Sequence, residues 1–101
     1  MHLVQILLPV YGKGGTLLHD TYGALRDELV ARFGGLTAFT QSPAEGLWNP
    51  SGGEPERDEI IMIEVMVSVI DRPWWTSFRS RLESLLGQES IVIRTWPMEQ
   101  L

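Results

Sequence analysis

The sequence predicts a small α+β domain whose strands and helices run in the order β-α-β-β-α-β. Three observations carry that prediction. Asp58 to Ile70 alternates two sets of side chains with period two, the pattern of a strand with one buried face. Two segments, Tyr22-Leu25-Leu29-Phe33 and Trp75-Phe78-Leu82-Leu85-Leu86, place apolar residues at helical spacings and form one stripe each. The stretches between these runs are rich in Gly and Pro, the residues of turns.

Taken in order, Leu3 to Leu8 reads as the first strand, ended by Pro9, which has no amide hydrogen for a ladder. Val10 to Thr16, with Gly12, Gly14 and Gly15 around Lys13, is a flexible connection. The first helix is expected from Asp20 to Phe33, capped by Asp20 or Thr21 and stopped by Gly34 and Gly35. Leu36 to Gln41 is a second strand with an irregular end, because Pro43 interrupts the path to Leu47 and Trp48. Asn49 to Pro55 reverses the chain. The third strand, Asp58 to Ile70, is expected to turn Ile61, Ile63, Val65, Val67 and Val69 inward. Asp71 then caps a second helix with Pro73 in its first turn and Gly87 at its end. Ser90 to Trp96 is the last strand. This order is the split βαβ or ferredoxin-like arrangement, with an antiparallel sheet in the order 4-1-3-2 and both helices on one face.

Composition narrows the function. At 101 residues the chain fits one domain, residues 1–101, and 44% hydrophobic content suits a packed globule. Thirteen acidic against eight basic residues give a net charge of −5, which disfavours nucleic acid as a partner. The absence of cysteine excludes disulfides, thiolate metal sites and a thiol nucleophile. No apolar run reaches the roughly 20 residues that span a bilayer, and the N-terminus lacks the pattern of a secretory signal, so a cytoplasmic location without membrane contact is expected. No spacing in the sequence implies a metal or a cofactor.

The sheet face away from the helices is the informative surface. Alternation turns Leu3, Leu7, Phe39, Ile60, Met62, Met66, Val92 and Trp96 outward, more apolar area than a monomer leaves wet. A second copy packed sheet against sheet, as in dimeric α/β barrels, would cover it. On the same face Gln5, Glu64 and Arg94 fall on strands that the 4-1-3-2 order makes neighbours. One reading of this polar row is an Arg94 to Glu64 ion pair through Gln5 that sets the register of an interface. The other is the polar end of a ligand pocket, with Glu64 as a base and Met62 and Trp48 as apolar walls. Gln5, Trp48, Met62, Glu64 and Arg94 are therefore the candidate ligand-binding residues.

Other features carry less. Gly12 to Thr16 lies between strand and helix but lacks the spacing of a phosphate-binding loop. His19 stands alone near a helix start, without a second metal ligand, and His2 belongs to a frayed chain end. Arg32-Phe33-Gly34-Gly35-Leu36-Thr37, Gly46-Leu47-Trp48 and Gln88-Glu89-Ser90 together resemble a family of small bacterial proteins of unassigned function with ferredoxin-like folds. That resemblance implies a fold and no reaction. Two functions follow as expectations: a homodimeric module that binds a small apolar molecule or another protein, or a cofactor-independent enzyme, monooxygenase- or isomerase-like, acting on an apolar or aromatic metabolite in the dimer cavity.

Overall fold

The computed structural model describes the backbone of residues 1–10, 19–48 and 56–101, and side chains at 1–10, 20–40 and 59–101. Six elements follow one another: β1 His2–Pro9, α1 His19–Phe33, β2 Thr37–Trp48, β3 Glu56–Val67, α2 Arg72–Leu86 and β4 Val92–Pro97. The strands form one antiparallel sheet in the order β2-β3-β1-β4, the expected 4-1-3-2 order read from its other edge. The two central strands come from opposite halves of the chain, so neither half makes the sheet alone. The glycine loop around Lys13 and the Asn49–Pro55 turn lie outside the described residues.

Apolar alternation decides which sheet face the helices cover. Val4, Ile6 and Leu8 of β1 and Ile61, Ile63, Val65 and Val67 of β3 are buried against Leu25 and Leu29 of α1 and Trp75, Phe78, Leu82 and Leu86 of α2. Aromatic rings seal the junction of the helices. Phe33 stacks on Trp75 at 5.3 Å, Trp74 stacks on Phe78 at 4.9 Å, and the Arg32 guanidinium lies 4.2 Å from the Trp74 ring. Trp74 and Trp75 thus belong to the core and its rim.

The caps of α2 are those its sequence encodes. Asp71 Oδ1 accepts a 3.1 Å hydrogen bond from the Trp74 amide, and Gly87 ends the helix in the left-handed region at φ 65°. The Glu83 carboxylate then accepts from the Ile91 amide at 2.8 Å, tying the exit of α2 to the entry of β4.

Several expectations are corrected. Helix α1 begins at His19, so Asp20 sits inside its first turn instead of capping it, where its charge still favours the helix dipole. β1 runs through Pro9, which pairs with Ile60 at the last rung. Chain-end His2 is likewise in the ladder, opposite Val67 and Pro97, half-buried and with Nδ1 unpartnered among the described residues. β3 ends at Val67, so Val69 falls in the bend before the Asp71 cap and is 78% exposed instead of inward. Leu85 is 63% exposed, because it lies at the edge of the α2 stripe, where a cleft separates it from α1. Ser90 and Ile91 precede β4, although Ile91 is buried. In β2 the irregularity expected near Pro43 is a register shift between Phe39 and Ala44.

Candidate functional site

Residue register builds the outer face of the sheet as three rows that cross the strands. At one end Trp96 of β4 faces Leu3 of β1, which faces Met66 of β3. In the middle Arg94 faces Gln5, Gln5 faces Glu64, and Glu64 faces Thr37 of β2. The third row is Val92, Leu7, Met62 and Phe39. A polar row thus lies between two apolar ones. Phe39, Met66, Val92 and Trp96 are between 40% and 49% exposed, so the apolar rows are open to water in a single chain.

The polar row is hydrogen-bonded from end to end of its three charged or amide members. Arg94 Nε donates to Gln5 Oε1 at 2.6 Å, and Gln5 Nε2 donates to Glu64 Oε2 at 3.0 Å. Gln5 uses its one acceptor and one of its donors in opposite directions, and it is the side chain that burial isolates, at 7% exposure. Glu64 is half-buried and Arg94 exposed. Among the described residues no direct ion pair joins Arg94 to Glu64; the amide relays between them. The row therefore has a cation at one end, an anion at the other, and a neutral dipole oriented to suit both.

Of the five candidate binding residues, the structure brings Gln5, Glu64 and Arg94 together and sets Met62 one rung away on the same face. Trp48 is elsewhere. Its backbone pairs with Glu56, six residues along β3 from Met62 and so about 20 Å away at a strand's rise per residue. Its side chain, like those of His19 and Pro43, lies outside the described ones. Three clefts lined by described residues lie off this face: between α2 and β4 at Trp75 and Ile93, between α1 and α2 at Leu25 and Phe78, and between α1 and β2 at Tyr22 and Leu36. Arg94 borders the first of them, and Gln5, Met62 and Glu64 line none of the three.

Sequence reasoning missed the α1–β2 cleft. Ala38 is exposed because it borders this opening instead of packing under a helix. The signal available was Gly23, a glycine in the second turn of a helix, where it costs stability relative to alanine. Among the described residues no cluster of His, Asp and Glu is arranged to hold a metal, and no helix is long and apolar enough to cross a membrane. No family model, no curated protein and no solved structure matches the chain.

Proposed function

We propose that the chain is a homodimeric binding module whose outer sheet face is covered by a second copy of itself. The observation that carries this reading is the polar row, opposite in charge at its two ends and flanked by apolar rows. Such a surface is complementary to itself. A two-fold axis running along β1, midway between two facing sheets, keeps each row opposite itself and exchanges left for right. Arg94 then faces the partner's Glu64, Trp96 faces the partner's Met66, and Val92 faces the partner's Met62.

Facing sheets pack about 10 Å apart with side chains interdigitated, a gap that Arg and Glu side chains span together. The apolar rows supply the drive to associate, and the charged row selects the register, since any slip sets Arg94 against apolar carbon. Glu64 is engaged by Gln5 in this arrangement, which suits a residue that orients an interface.

Sedimentation equilibrium at micromolar concentration tests the reading, with a mass of two chains expected. Met66→Lys or Val92→Asp should shift the protein to monomer or unfold it, because a lone charge buried among apolar side chains costs several kcal/mol. A monomeric native protein with a monomer's compact sedimentation coefficient would overturn the proposal.

A further inference from the structure

On the helix side of the sheet, opposite the proposed dimer face, a cleft of about 430 Å³ opens between α1 and β2. Leu36, Ile61 and Ile63 supply its apolar lining, and Tyr22, Arg26 and Glu59 its functional groups. The Tyr22 hydroxyl is buried and, among the described residues, has no hydrogen-bond partner. A buried donor left unmatched is destabilising, and a ligand's acceptor would relieve it once the phenol turns into the cleft. Desolvation pushes the Tyr22 pKa upward, which keeps the phenol protonated and able to donate. Arg26 lies 3.9 Å from Asp27, its own chain neighbour, in a pair largely exposed to water, the kind of contact that holds a guanidinium weakly. At Gly23, one residue along α1, an added Cβ would meet nothing within 4 Å, so the wall there is open space.

The two charges decide the ligand class. A simple carboxylate suits Arg26 and Tyr22 but meets Glu59, and a simple amine suits Glu59 but meets Arg26. A ligand that carries both charges satisfies all three groups. We propose that this cleft binds a free α-amino acid with an apolar side chain, its carboxylate directed to Arg26 and the Tyr22 hydroxyl, its ammonium to Glu59, and its side chain among Leu36, Ile61 and Ile63. The inference rests on the reading of the chain as a binding module and adds its ligand; it does not need the dimer.

Titration of the native protein with L-phenylalanine and L-leucine, followed by calorimetry and by amide chemical shifts, tests it. Saturable binding below about 1 mM, modest for so small a ligand, is expected. The shifts should centre on Tyr22, Gly23, Ile61 and Ile63. 3-Phenylpropanoate and 2-phenylethylamine, each lacking one charge, should bind at least about 10-fold more weakly, since each leaves one charged group unmatched. Tyr22→Phe should weaken L-phenylalanine by about 5-fold, the loss of one net hydrogen bond. Gly23→Leu, which fills the open wall, should abolish binding; should that variant fail to fold, Arg26→Leu on the surface serves for it, with the same loss expected. Equal affinity for either single-charge analogue, shifts confined to another region, or no binding of either amino acid at about 10 mM would overturn the proposal. A monomer that binds leaves the cleft standing without the dimer, and a dimer that does not bind overturns the cleft alone.

Discussion

Gln5 bears the most consequence of any single residue on the outer face. It is the buried member of a row whose other two members carry full charges, and its amide is oriented by both of them. Arg94→Met removes the cation, leaves Gln5 Oε1 without its donor and leaves the Glu64 carboxylate uncompensated in the proposed interface. Breaking one half of a buried pair costs about 3 to 5 kcal/mol, whereas replacing both halves by apolar groups is near neutral. Urea midpoints, measured well above the dimer's dissociation constant, should therefore fall further for Arg94→Met than for Arg94→Met with Glu64→Leu. A harmless Arg94→Met would mean that the row stays solvated and sets no register. Tyr22 makes a separate prediction, in alkaline solution. Burial raises its pKa above the ordinary value of 10.0, so above pH 10 the unfolded chain loses this proton while the folded chain keeps it. Stability changes with pH as the protons bound in the unfolded state minus those in the native state, a negative difference here. The contribution is complete below pH 10 and declines as pH rises from there towards the folded pKa. Tyr22→Phe should flatten that decline in a series of thermal melts, and an unchanged slope would show that the phenol is not desolvated.

Among the elements, α1 and α2 differ in how fully their sequences specify them. Helix α2 has a cap at each end, buries Trp75, Phe78, Leu82 and Leu86, and is anchored through Glu83 to the chain that enters β4. Among its described residues helix α1 buries only Leu25 and Leu29 fully, and it carries a glycine in its second turn. Gly23→Ala adds a methyl group that meets nothing and removes the entropic cost of glycine in a helix. It should raise stability by about 0.5 to 1 kcal/mol, read from urea or thermal midpoints. A loss of stability instead would mean that α1 cannot take a side chain there, and that the wall of the cleft is closed. The helices also meet through polar contacts at their surface: Arg81 reaches Glu28, and Arg32 lies 3.7 Å from Asp71. Both pairs are substantially exposed, so they orient the helices and add little to stability.

For the whole molecule, self-complementarity gives a test that depends on two chains at once. Glu64→Arg alone places two arginines opposite each other at both ends of the proposed row, and Arg94→Glu alone places two glutamates there. Each variant should dimerise poorly by itself. Mixed in equal amounts they should form a heterodimer, because every facing pair is then opposite in charge. Native mass spectrometry of the mixture, with one chain isotopically labelled, measures this directly. Coupling between close charge pairs at an interface reaches about 1.5 to 7 kcal/mol, enough to shift such an equilibrium well over tenfold. A mixture that stays as unpaired chains, or two single variants that dimerise as well as the parent, would rule out an axis along β1.

The sequence by itself determined the order of elements, the strand order of the sheet and the three members of the polar row. These features follow from periodicity and from topological rules that depend on residue type and spacing alone. It also determined α2, because Asp71, Pro73 and Gly87 are local signals that act over a few residues. Only the tertiary structure decided that Gln5 relays between Arg94 and Glu64, since which amide atom meets which charge depends on the pairing of β1 with both neighbours. It alone decided that Val69 and Leu85 face solvent, because a periodic pattern does not reveal where the packing partner stops. The α1–β2 cleft was out of reach of the sequence for the same reason. Tyr22, Arg26, Leu36, Glu59, Ile61 and Ile63 come from three segments of the chain, and the space between them exists only where α1 leaves the edge of the sheet uncovered.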